Sequence, residues 1–241
     1  MKKLMTTLAV MLIAVLAFSQ SKNVFWSLTA KPKMDKKLEY EKKATTFIKT
    51  HFPNLKYRCW QVITGENNGS YIFVIGPSTW KEADTPMVSP KGEALQKTDG
   101  QALDALCEST TASYFLRQED VSNMKADRKL KYISATMYDF EIGKWNDIHD
   151  YLLKSKDARM KSGSKTDIDI LRPSMSGNGS SFGVVRFMEN LDELDVQENM
   201  GEAYDKINGD NSYYKTQQNI FSILKSGKTE LRVLRTDLSQ L

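Results

Sequence analysis

Histidine and cysteine are scarce in this 241-residue chain, with two of each. No Cys-x-x-Cys pair occurs, so no structural zinc pattern and no metal site is expected. A Gly-rich phosphate loop, a nucleophile elbow and a paired-carboxylate motif are also missing, which leaves nucleotide chemistry and covalent hydrolysis without support. Excess charge of one sign is lacking too. The formal net charge is +4, and loss of Lys2 and Lys3 with a leader brings it to +2. Lys31, Lys33, Lys36 and Lys37 are interrupted by Asp35, Glu39 and Glu41, so this stretch reads as a solvated surface and not as a nucleic-acid patch. Long apolar runs are confined to Leu8–Phe18. With Lys2 and Lys3 before it and Ala17-Phe18-Ser19 closing it, that run reads as a signal peptide over residues 1–19. It is well short of the roughly 20 apolar residues of a membrane span. The expected mature protein is soluble and periplasmic or secreted, with no membrane attachment and no nucleic-acid partner.

What the chain does contain is internal repetition. Asn68-Gly69-Ser70-Tyr71-Ile72-Phe73-Val74-Ile75 is followed about 111 residues later by Asn178-Gly179-Ser180-Ser181-Phe182-Gly183-Val184-Val185. Trp80-Lys81-Glu82-Ala83-Asp84 has its counterpart in Leu191-Asp192-Glu193-Leu194-Asp195. The stretch Phe115 to Ser122 resembles Val233 to Ser239 with one residue inserted. Such a period exceeds the roughly 20–50 residues of a solenoid repeat and suits a duplicated small domain. Both Asn-Gly-Ser triplets match a glycosylation pattern, but Asn-Gly is also what a tight hairpin turn requires.

Alternation and periodicity predict the same element order in each repeat. The first has a strand over 23–30, a helix over 39–52 stopped by Pro53, strands over 57–63 and 71–75, helical pieces after Ser78-Thr79 and over 101–108, and a strand over 113–118. The second has a strand over 131–140, a helix over 145–161, strands over 167–172 and 182–187, helices over 190–207 and 213–225, and a strand over 230–236. The expected fold is therefore α+β, with two tandem ferredoxin-like βαββαβ units over 22–122 and 131–241 joined by a linker at 123–130. A two-residue turn at Asn68-Gly69 puts Cys59, Gln61, Ile63, Ile72 and Val74 on one face and Trp60, Val62, Tyr71, Phe73 and Ile75 on the other. Both faces are largely apolar, so both need cover, and the sister unit is the natural cover for one of them.

In this element order, its aromatic strands, its hairpin turns and the Trp80 that follows the third strand, the chain resembles the dimeric α/β-barrel superfamily. The resemblance spans about residues 22 to 241 and implies two antiparallel sheets joined as an intramolecular pseudo-dimeric barrel, hence a monomer with an internal pseudo-two-fold. Members of that superfamily include cofactor-independent monooxygenases and haem-binding or haem-degrading proteins. The haem-degrading branch implies a His in the helix after the third strand. The Trp80 and Leu191 helices hold none, and no cofactor is expected.

Candidate site residues are correspondingly few. Trp26, Trp60, Phe73, Tyr138, Trp145 and Arg172 are candidate ligand contacts, the aromatics either as core or as walls for a flat apolar ligand. Arg172 and Arg186 replace Gln61 and Ile75 of the first repeat. Each reads either as an anion anchor or as a partner for Asp169, Asp139 or Glu141, and the assumed turn points them to opposite faces. His51 ends a helix and reads as structural. His149, beside Trp145 and Asp150, is the candidate catalytic base. Cys59 and Cys107, in a predicted strand and a predicted helix, fit either a disulfide or two buried thiols. The leading expectation is an exported module binding a small, flat, apolar or aromatic ligand. The alternatives are a cofactor-independent monooxygenase-like enzyme acting on a phenol or quinol, and a protein-interaction module.

Overall fold

Eight strands form the frame of the fold, and their alternation explains how they assemble. A computed structural model describes residues 21–85, 87–125, 128–174, 179–196 and 199–241. The expected signal segment lies outside them, as does Asn178. The strands are β1 (Val24–Pro32), β2 (Arg58–Val62), β3 (Tyr71–Ser78), β4 (Cys107–Arg117), β5 (Tyr132–Phe140), β6 (Asp167–Ser174), β7 (Ser181–Met188) and β8 (Leu224–Leu234). They form one closed antiparallel barrel in the order β1-β3-β2-β8-β5-β7-β6-β4, with β4 returning to β1. Closure leaves no exposed sheet edge. Read from β4, the ring runs β4-β1-β3-β2 and then β8-β5-β7-β6, the same order in the chain's two halves. The halves meet where β2 pairs with β8 and where β4 pairs with β6.

Residues of alternate parity point into the barrel. Trp60, Val62, Ile72, Ile133, Ala135 and Val185 form one buried cluster there, with Val74, Leu171, Phe187 and Leu234 packed against it. An eight-stranded barrel is just wide enough for side chains to fill, and here they fill it. Charged groups share the interior as pairs: Arg117 lies 2.9 Å from Asp169, and Arg232 lies 2.8 Å from Glu230.

Six α-helices, counted among the described residues, cover the outer face: α1 (Lys37–His51), α2 (Trp80–Ala83), α3 (Glu93–Asp104), α4 (Trp145–Lys161), α5 (Met200–Asn208) and α6 (Ser212–Ile223). In α1 the buried positions are Tyr40, Ala44 and His51, a stripe at helical spacing that seats on Cys59, Tyr71 and Phe73. The helix stops before Pro53, which has no N–H to continue it. α2 opens on a capping box between Thr79 and Glu82. α4 carries Asp147 in its first turn and Arg159 and Lys161 in its last, complementing the helix dipole. Its Ile148 and Leu152 pack with Ile170, Phe182, Ile220 and Ile223.

Three expectations are corrected. The hairpin does not turn on two residues at Asn68-Gly69: Gly69 N–H donates to Val62 O, Ser70 N–H to Asn67 O, and Ile63 N–H leaves the hairpin for Leu231 O. The register differs from the expected one by five residues, an odd number that exchanges the faces, so Cys59 pairs with Phe73 and Trp60 with Ile72. Trp60 and Val62 therefore point into the barrel, while Cys59, Gln61, Tyr71 and Phe73 face α1. Cys107 begins strand β4 and is not helical, because the helix before it spans Glu93–Asp104. Both cysteines are free and buried in one core cluster.

Candidate functional site

Where α1 crosses the outer face of β1 and β3, packing leaves a cleft of about 110 Å³. Its floor is set by the β1–β3 ladder, in which Trp26 stands opposite Ile75 and Leu28 opposite Phe73. Tyr40, Ala44, Phe47 and Ile48 of α1 form the roof, and Tyr57, Leu103 and Met87 close the ends. Nearly all of the exposed wall is carbon. An engineered apolar cavity of about 150 Å³ holds benzene, so this cleft is sized for a single ring with small adjustments. Burial pushes the Tyr57 hydroxyl up to about 12 and that of Tyr40 higher still, so both stay protonated at neutral pH. Burial likewise pushes the Cys59 thiol up, which leaves it inert as a nucleophile.

The Met87 end of the cleft is held by a buried histidine. His51 is fully buried, its Nδ1 2.6 Å from Ser89 Oγ and its Nε2 2.9 Å from Asp99 Oδ2. An ionised Asp99 can only accept, so Nε2 carries a proton toward it, and in the neutral ring Nδ1 then accepts from the Ser89 hydroxyl, whose oxygen also accepts the Lys91 N–H at 3.0 Å. Gln96 brackets the same loop, accepting from Ser89 N–H and donating to Met87 O. The His51 ring lies 4.7 Å from that of Phe47, a wall residue. This cluster was not legible as a unit, since its three members lie 38 and 48 residues apart.

The sequence-nominated residues do not gather in one place. Trp26 and Phe73 share the first cleft. Trp60 is in the barrel core. Tyr138 and Trp145 pack around Phe182 on the second half, the Tyr138 and Phe182 rings stacked at 5.2 Å. The Arg172 guanidinium lies 4.1 Å over the Trp145 ring and donates to Gly179 O. Burial lowers the Arg172 pKa, and its contact is this ring, not Asp169, Asp139 or Glu141. Arg186, donating to Glu193 O, points to the same outer face as Arg172, as the corrected register requires. His149 does not line the cleft: its Nε2 is 2.6 Å from Asp120 Oδ2 at the surface.

A haem, which the superfamily resemblance brings into consideration, does not fit these residues. The chain's two histidines are His51, both of whose ring nitrogens are engaged, and His149, held by Asp120 outside the cleft. Among the described residues no group of three or more His, Cys, Asp or Glu is placed to hold a metal, and no helix is long and apolar enough to cross a membrane.

No protein-family model and no curated protein sequence matches the chain. Solved structures do. A protein from Lactobacillus acidophilus described as a candidate monooxygenase superposes with a TM-score of 0.55 at 11% identity, covering 88% of this chain and 94% of its own. An anthrone oxidase-like protein gives 0.56 at 7% identity, covering 89% and 92%. A variant of chlorite dismutase from Candidatus Nitrospira defluvii gives 0.55 at 8% identity, also covering 89% and 92%. The chain thus has the dimeric α/β-barrel fold, and the likeness is one of architecture. The expectation of an exported binding module is corrected: the structures it resembles are described as oxygenases, an oxidase-like protein and a dismutase, and the enzyme alternative fits them better.

Proposed function

We propose that the chain is a cofactor-independent monooxygenase-like enzyme that oxidises a small phenol or quinol in the cleft between α1 and the β1–β3 floor. The observation that carries this reading is the cleft itself, a ring-sized carbon-walled space roofed by α1 and closed by Met87. It occurs on a fold whose solved examples include proteins described as monooxygenases. Such a reaction needs no external reductant. A quinol and O₂ give a hydroxyquinone and water, the substrate supplying the electrons and one oxygen atom staying on the ring. The walls exclude water from the reactive carbanion-like form. They hold no basic group, so the quinol must ionise by its own acidity, while Trp26, Tyr40 and Tyr57 are the wall residues with a proton to donate to its oxygen.

The strand order repeated in the two halves and the matched sequence segments support an origin by duplication, with two ferredoxin-like units closed as an internal pseudo-dimer in one monomer. Lys2, Lys3 and the Leu8–Phe18 run support export of the enzyme from the cytoplasm.

Oxygen uptake with a series of simple quinols of graded acidity tests this reading. The rate rises with pH, its midpoint follows the quinol and not the protein, and hydroxyquinone forms in proportion to oxygen consumed. Uptake no faster than in buffer for every quinol ends the proposal.

A further inference from the structure

The second half carries a different opening. Between the end of its sheet and helices α4 and α5 lies an open cavity of about 1380 Å³ whose wall mixes apolar surface with several charged side chains. Arg186 lines it from the outer face of β7, opposite Ser134, whereas the first half has Ile75 opposite Trp26 on the corresponding ladder. One edge of the Arg186 guanidinium donates to Glu193 O, but its Nε is buried with no hydrogen-bond partner. A half-satisfied cation on a sheet face is costly unless something completes it. Lys125, Lys161, Lys165 and Lys206 line the same cavity, and none forms an ion pair with a described residue. The carboxylates there are already engaged. Glu189 and Glu193 bind Arg128 at 3.3 and 2.5 Å, and Glu202 accepts from Asn199 Nδ2 at 2.6 Å. Positive charge is therefore left over along this cavity wall.

We infer that this cavity binds a small organic oxyanion, a phosphate ester or a polycarboxylate, with Arg186 as its central anchor and the lysines as its rim. A guanidinium presents a planar fork that matches both phosphate and carboxylate. The volume exceeds the roughly 300–1,000 Å³ of ordinary small-molecule pockets, room for an organic anion and its water shell and not only for a bare ion. The site is separate from the apolar cleft and does not rest on the oxygenase reading.

Titration calorimetry of the chain with pyrophosphate and, separately, with citrate tests the inference at low and raised salt. Binding of at least one anion is expected, weaker as salt is added. Arg186→Met should weaken it roughly tenfold or more, the loss of a hydrogen bond to a charged group. Should Arg186→Met fail to fold, the exposed rim pair Lys165→Ala and Lys206→Ala serves instead and should weaken binding several-fold. Pyrophosphate alone assigns a phosphate ligand, and citrate alone a carboxylate. No binding of either anion, or equal binding by wild type and variants, overturns the site.

Discussion

The hydroxyl of Ser122 accepts the backbone N–H of Ile170 at 2.9 Å. On the opposite side of the barrel, Ser239 Oγ accepts the N–H of Cys59, also at 2.9 Å. The matches continue outward. Gln118 N–H donates to Ile170 O as Arg235 N–H donates to Cys59 O, and Asn123 N–H reaches Ile168 O as Gln240 N–H reaches Tyr57 O. Val121 packs in the second half's cluster and Leu238 in the first half's. Each half thus extends its last strand beneath the other and is stapled there by a serine.

Removing either serine leaves a backbone donor without its partner. Ser122→Ala should cost about 1–2 kcal/mol of unfolding free energy and Ser239→Ala, in a less buried place, about 1. The two costs should add in the double variant, because the sites share no partner. Urea unfolding checks this. A double variant as stable as wild type would show that these bonds do not hold the halves together.

Asp169 gives a pH dependence of defined sign. Burial raises its pKa from the usual 3.8 to about 6, more than the neighbouring Arg117 lowers it. Between those values the folded state holds a proton that the unfolded state has lost. This group's contribution to stability is therefore greatest below about pH 4, declines as pH rises to about 6 and is level above. Comparing unfolding free energies of wild type and Asp169→Asn across pH 4–8 isolates it. The difference should move against wild type by up to about 3 kcal/mol between pH 4 and 6, two units at about 1.4 each. A difference constant across that range contradicts the assignment.

His51 should govern the loop that closes the cleft. His51→Leu keeps the apolar contact with Phe47 but loses both polar partners, at a cost of about 2 kcal/mol. Hydrogen exchange at Ser89 and Lys91, whose amides bond within this cluster, should then quicken roughly tenfold or more, while exchange in α4 follows global stability alone. Unchanged protection at both amides would mean that Gln96 holds the loop by itself.

Local signals in the sequence were enough for α4, predicted over 145–161 and observed at Trp145–Lys161, and for the order of all eight strands. They failed where a distant strand decides the outcome. Asn68-Gly69 is a good two-residue turn taken alone, but Ile63 and Thr64 pair instead with β8, which lengthens the loop and reverses the faces. That reversal sends Trp60 inward, and the register of the β6–β7 hairpin, also shifted by an odd number, brings Arg172 and Arg186 to one face. Trp26 and Phe73 were legible as candidate walls from their aromatic character. Tyr40, Phe47 and Met87 were not, because the helix stripe and the closing loop meet the strands only in three dimensions. His149 looked functional beside Trp145 in sequence, yet its ring is drawn to Asp120.

Ala44, buried in the roof of the cleft, offers the most direct test of where oxygen chemistry takes place. Ala44→Leu fills space that is empty in the folded protein, so its stability should stay within about 1–2 kcal/mol of wild type. Oxygen uptake with a quinol that the wild-type protein oxidises should fall roughly tenfold or more, since a misplaced ring loses its productive geometry. A folded Ala44→Leu variant that consumes oxygen at the wild-type rate would place the reaction outside this cleft.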